Sequence, residues 1–122
     1  MGDLTNNFSA HEFECRCGEC DRLANMHPNF MEKLQKAREI AGLGFNPTSG
    51  YRCPKHPESL KRPTSAHTIG RAVDIATITS RIRFIVMASL IQAGFNRLGI
   101  GENFIHVDDD PSKDTDVSWH YY

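Results

Sequence analysis

His67, Asp74 and His106 are metal-ligand residue types placed beside or inside short apolar runs. Asp74 stands in Ala72-Val73-Asp74-Ile75-Ala76 and His106 in Phe104-Ile105-His106-Val107. A carboxylate or imidazole there is costly to bury unless a cation or strong hydrogen-bond donors meet it. If the two runs are neighbouring strands and His67 lies in the loop entering the first, three ligands converge. A fourth position is then left for water, as in a catalytic zinc site. Zinc in such a site lowers the pKa of its water to about 7 and polarises a carbonyl, so the chemistry within reach is hydrolysis. A nearby carboxylate would move the proton. Taken singly, each residue has a plainer reading, as a hydrogen-bonded core histidine or an edge-strand aspartate.

Such a site needs two strands side by side and a fixed loop. Pro28 suits a first helical turn, and Phe30, Met31, Leu34, Ala37, Ile40 and Ala41 recur at helical spacing up to Gly42, which predicts a helix over 28–41. Beyond Phe45, Pro47, Gly50 and Pro54 exclude a helix. Asn46 to Arg52 reads as a short strand, followed by a polar loop to about Thr68. Residues 72–76 predict another strand. Thr79 or Ser80 then caps a second helix with a core face of Ile82, Ile85, Val86, Leu90 and Ile91, closed by Gly94. Residues 95–100 and 104–108 predict a hairpin turning at Gly101-Glu102-Asn103. Ser9 and Glu12 have the spacing of a capping box, so a short helical turn is expected there. This order predicts an α+β fold, a small antiparallel sheet with two main helices packed on it.

The 122 residues include 14 Lys and Arg against 15 Asp and Glu, a net charge of −1. No basic field marks a nucleic-acid or anionic-membrane partner. No run approaches the roughly 18 apolar residues of a membrane helix, so a soluble monomer is expected. No repeat or linker divides the chain. One domain over 1–122 is expected, with the Cys-containing segment 1–25 part of it. Cys15, Cys17 and Cys20 form a C-x-C-x-x-C cluster, and Cys53 stands apart. A structural zinc on four thiolates, which requires Cys53 to approach the cluster, two disulfides and free buried thiols are all open readings. Asp108, Asp109 and Asp110, before Pro111, read as a solvated turn rather than a calcium site.

The set Ser49-Gly50-Tyr51-Arg52, Ser65-x-His67-x-x-Gly70-x-Ala72-x-Asp74, Gly94-Phe95, Phe104-Ile105-His106-Val107-Asp108 and Trp119-x-Tyr121 spans nearly the whole chain. It resembles the zinc D-Ala-D-Ala carboxypeptidases and related peptidoglycan peptidases of the M15 type. The resemblance implies zinc at His67, Asp74 and His106 and the hedgehog/DD-peptidase fold. It also implies a substrate among peptidoglycan stem peptides, contacted by Tyr51, Arg52, Ser65 and Trp119. Arg52 would hold a terminal carboxylate bidentately, while Trp119 and Tyr121 wall the cleft.

The base is where the sequence departs from the pattern. Several relatives carry Glu or Asp three residues before the last His ligand, where this chain has Asn103, whose amide cannot take a proton. Glu102 is the preferred base, and Asp108, on the same strand face as His106, is its rival. The leading expectation is a D,D-carboxypeptidase. The alternatives are a lytic endopeptidase of phage or prophage type, a zinc-binding module without turnover, and a small zinc-ribbon interaction protein. The opening Met-Gly-Asp-Leu-Thr-Asn-Asn has neither the basic start nor the apolar run of a secretory signal. Synthesis in the cytoplasm and action on the cell wall after release are therefore expected.

Overall fold

The computed structural model describes residues 2–121. Its helices are α1 (Pro28–Ala41), α2 (Pro57–Lys61) and α3 (Ser80–Gln92), and its strands are β1 (Pro47–Ser49), β2 (Ala72–Ala76), β3 (Arg97–Ile100), β4 (Phe104–Asp108) and β5 (Val117–His120). Short 3-10 turns cover Ala10–Glu12 and Ala66–Ile69. The class is α+β, as the pattern of periods implies.

Local signals explain the ends of the main helices. Pro28 opens α1, where its missing N–H costs nothing, and His27 Nδ1 accepts the Asn29 N–H at 3.1 Å. Gly42, at φ 68°, closes it in the left-handed region. Thr79 caps α3 by accepting the Ile82 N–H at 3.1 Å. Ahead of the first 3-10 turn, the Ser9 N–H donates to Glu12 Oε1 at 2.9 Å, the carboxylate half of a capping box.

The five strands form one sheet in the order β1-β2-β4-β3-β5. The first three pairings, β1 with β2, β2 with β4 and β4 with β3, are antiparallel, but β5 runs parallel to β3, so the sheet is mixed rather than antiparallel throughout. The cause is topological. β4 ends level with the start of β3, and the connection 109–116 delivers the chain to that same end.

Strand alternation gives the sheet two faces of opposite character. Val73, Ile75, Leu98, Ile105 and Val107 point to one side and are buried with Phe30 and Leu34 of α1, Val86 and Leu90 of α3, and Phe8, Phe13, Phe45 and Phe95. On the other side the register sets Ser49, Asp74, His106, Gly99 and Trp119 opposite one another in a row across all five strands.

Three expectations need correction. The polar loop to Thr68 contains α2 and a 3-10 turn; His56 accepts the Glu58 N–H at 3.0 Å and Pro57 opens the helix. The strand expected over 46–52 is only Pro47–Ser49, with a bulge inside it, because the backbone of Gly50, Tyr51 and Arg52 turns to His67 and Phe13 instead of β2. Ile91 and Ile40, expected in the core, are 57% and 41% exposed, since each helix meets the sheet on a narrower stripe than its apolar content suggests. Leu90, fully buried, should cost about 2–5 kcal/mol on replacement by Ala. Phe84→Ala, at a side chain 73% exposed, should stay within about 0.5 kcal/mol, and urea titration of the two variants beside the parent checks both values.

Candidate active site

Asp74 occupies the centre of the row. It pairs in register with His106 on β4, and its Oδ1 lies 3.0 Å from His106 Nδ1. His67 comes from the 3-10 turn before β2, and its Nε2 lies 3.5 Å from the same oxygen. One donor atom from each of the three residues falls within 4.8 Å of the others. Asp74 Oδ2 faces Arg52, whose nearest guanidinium nitrogen is 3.7 Å away.

His67 is fixed twice. Ser65 Oγ accepts its backbone N–H at 3.3 Å, and its ring Nδ1 is 2.7 Å from the carbonyl of Gly50. A carbonyl only accepts, so Nδ1 carries the proton and Nε2 is left to face Asp74 with a lone pair unless the ring is charged. His106 has the same difficulty more sharply. Its two ring nitrogens face two carboxylates, Asp74 at 3.0 Å and Asp108 Oδ2 at 2.7 Å, while a neutral imidazole has one proton to give. Two buried imidazoles turning lone pairs on a half-buried carboxylate suit a divalent cation at their common point, and mixed nitrogen and oxygen donors suit zinc.

The charges follow from the same contacts. Burial would raise the Asp74 carboxyl, but the hydrogen bonds and charges of His106 and His67 hold it well below the usual range. Burial would lower His106, and the hydrogen bonds to Asp108 and Asp74 outweigh it, so the imidazole is held above its ordinary value. Asp108 resembles Asp74: burial opposes ionisation, while His106 and Arg97 keep it ionised. Arg97 Nε donates to Asp108 Oδ1 at 2.6 Å, and the guanidinium lies 5.0 Å from the centre of the Trp119 ring.

Gly99 makes this row fit. It stands opposite both His106 and Trp119, and a Cβ there would come within 2.7 Å of the Trp119 Nε1 and the Tyr121 ring. The missing side chain is the space the indole occupies.

Two connected depressions meet at His106. One, about 190 Å³, is lined by Arg52, Glu58, Arg62, Ser65, His67, Asp74, Phe104, His106 and Tyr121. The other, about 420 Å³, shares Arg62, Ser65, His106 and Tyr121 and extends over Lys61, Lys113, Arg97, Asp108 and Trp119. Arg52, Ser65 and Trp119 therefore stand on the walls, as anticipated for substrate contacts. Tyr51 does not: it is buried against Cys15 and Cys53. Glu102 is exposed in the β3–β4 turn and lines neither depression. The three acids are not a solvated turn. Asp108 and Asp110 are 2% and 4% exposed, Arg71 and Lys33 meet Asp109, and Lys113 meets Asp110.

Sequence reasoning passed over Arg97, Arg62 and Glu58. Arg97 was accessible by alternation, being two positions before Gly99 on the same strand. Glu58 follows a His-Pro helix start that is legible only once α2 is known to form. The four cysteines do meet: Cys17 Sγ lies 3.4 Å from that of Cys53 and 3.6 Å from that of Cys20, and all four sulfurs fall within 4.8 Å of one another.

A mixed sheet that is helix-covered on one face and carries a His-Asp-His cluster in a cleft on the other defines a metallohydrolase architecture. The chain belongs to the Peptidase M15 family, whose sequence profile matches residues 6–108. That makes it a zinc peptidase, with a peptide as substrate. No curated protein matches the chain. Among the described residues, no helix is long and apolar enough to cross a membrane.

Because Asp108 orients the His106 ring from behind, Asp108→Asn should weaken zinc binding about ten- to a hundredfold. Competition with a chromophoric chelator would measure this, at conditions where circular dichroism shows both proteins folded. Equal affinities would show that the carboxylate contributes nothing to the metal.

Proposed function

We propose that the protein is a zinc-dependent D-Ala-D-Ala carboxypeptidase of peptidoglycan stem peptides, with His67, Asp74 and His106 holding the metal. The observation that supports this most is the charge at the end of the smaller depression. Arg52 and Arg62 both line it, and Arg52 Nε is buried with no hydrogen-bond partner among the described residues. An unsatisfied guanidinium donor beside the metal ligands suits a free terminal carboxylate. On the other side of His106 the wider groove has room for the rest of a stem peptide, with Trp119 and Tyr121 as its apolar wall.

When bound, the zinc supplies a Lewis acid that makes water nucleophilic near neutral pH and polarises the scissile carbonyl. The chain's own residues do the positioning. Arg52, tied to Ser49 Oγ at 3.0 Å, orients the substrate terminus and also faces Asp74 Oδ2, leaving Oδ1 to the metal. Asp108 keeps the Nε2 proton of His106 and so turns Nδ1 toward Asp74. Glu58 is the one carboxylate besides Asp74 on the wall of the smaller depression, so we assign it the proton transfer from water to the leaving amine, ahead of the exposed Glu102. The protein would work as a monomer on the cell wall, released from the cytoplasm in the manner of phage or prophage lysis.

A muropeptide ending in D-Ala-D-Ala should yield free D-Ala, and a zinc chelator should stop the release. New ends within the stem or cross-bridge would instead identify an endopeptidase, and bound zinc without any product a non-catalytic module. Arg52→Ala should lose roughly 10- to 100-fold in kcat/KM, since a charge-assisted hydrogen bond contributes about 1.5–3 kcal/mol. The same variant should be indifferent to amidation of the substrate terminus, to which the parent protein is sensitive.

Glu58→Gln should lower kcat by about 10²- to 10⁴-fold with zinc content unchanged. If Glu102→Gln has that effect and Glu58→Gln does not, the proton carrier is the turn glutamate.

A further inference from the structure

Residues 14–26 form neither helix nor strand, yet they are ordered against the segment that carries Arg52. Fixing so long an irregular stretch costs on the order of 1–2 kcal/mol per residue in backbone entropy. Little apolar surface is available to offset it: the cluster beneath consists of Cys15, Tyr51 and Cys53, with Cys17, Cys20 and Met26 packed at its edge. Five of the six side chains in this second cluster carry sulfur.

The sulfurs converge on one point rather than as two separate pairs. Thiolates placed tetrahedrally about 2.3 Å from a zinc ion lie about 3.8 Å from one another. The distances of 3.4 Å and 3.6 Å from Cys17 to Cys53 and Cys20, with all four sulfurs within 4.8 Å, are close to that figure. Backbone donors point at the sulfurs as well. The Glu19 N–H reaches Cys17 Sγ at 3.2 Å through a turn at Gly18, where φ is +77°, and the Cys53 N–H reaches Cys15 Sγ at 3.3 Å. Such bonds favour the thiolate form that a metal requires.

We propose that Cys15, Cys17, Cys20 and Cys53 bind a second, structural zinc ion that fastens the N-terminal segment to the stretch after β1 that carries Arg52. All four coordination positions are filled by protein, so the ion has no open site for chemistry.

Its effect reaches the cleft along short links. Cys53 follows Arg52 directly, the Arg52 N–H donates to the His67 carbonyl at 3.1 Å, and the Gly50 carbonyl holds the His67 ring at 2.7 Å. On the far side the Tyr51 N–H donates to the Phe13 carbonyl at 2.9 Å. The thiolate site thus anchors the strip that positions both a metal-binding histidine and the arginine. The consequence for Arg52 rests on the carboxypeptidase reading, whereas the metal site itself does not.

The full chain purified without added metal or oxidant should contain two zinc ions. The double variant His67→Ala/His106→Ala should keep one, and cobalt exchanged into it should show thiolate-to-cobalt charge-transfer absorption. Cys17→Ser should hold one zinc and lose that absorption. Zinc absent from the double histidine variant while it remains folded, or two thiols missing to titration without reductant, would overturn the proposal. Because the histidine variant is tested with its cysteines intact, a folding failure of Cys17→Ser does not affect the decision. Two zinc ions in a chain that cleaves no muropeptide would support the thiolate site and count against the carboxypeptidase alone.

Discussion

The site depends on one half-buried carboxylate that cannot be left alone. Asp74 sits at the centre of the sheet with two imidazoles on one oxygen and a guanidinium on the other. An ionised carboxylate largely withdrawn from water is tolerated only where cations or strong donors surround it. That requirement dictates where His67, His106 and Arg52 must be, and so the course of three separate stretches of chain. The 3-10 turn, the β2–β4 register and the bulge of β1 are three answers to the same electrostatic demand.

The sheet separates stability from chemistry by its period of two. Val73, Ile75, Ile105 and Val107 face the helices, and the residues between them face the cleft. A slip of β4 by one residue against β2 would push His106 into the apolar layer and expose Ile105 and Val107. Register is therefore held by both faces at once, hydrophobic burial behind and paired charges in front. Beyond the metal ligands, Asp108 and Arg97 extend the polar row, and Gly99 makes room for the indole that flanks it.

The ligands were legible because they violate their surroundings: a charged or ring-nitrogen residue in an apolar strand announces a partner. Helix ends were legible too, since Pro28 and Gly42 act through their own backbone and Thr79 through a hydroxyl that reaches an N–H only three residues on. Ile91 and Ile40 were misplaced because helical period shows that a stripe is apolar, without showing how much of it another layer covers. The acids at 108–110 looked solvated because Arg97, Arg71 and Lys33, which meet Asp108 and Asp109, come from other parts of the chain, and only Lys113, which meets Asp110, is a near neighbour. Glu58 was missed because α2, at five residues, is too short for a periodic signal.

The parallel placement of β5 also escaped notice, as its four residues are mostly exposed and carry little alternation. By itself the sequence determined the main helices and their ends, the central strands and the identity of three candidate metal-binding side chains, all of which follow from local sterics and from the cost of burying charge. Only the tertiary structure decided which oxygen of Asp74 faces which ring, which carboxylate shares the cleft wall with Arg52, and whether Cys53 meets its three distant partners. Those are distances between segments far apart along the chain, and they are set by the packing of the whole sheet and its helices, not by any residue's own preference.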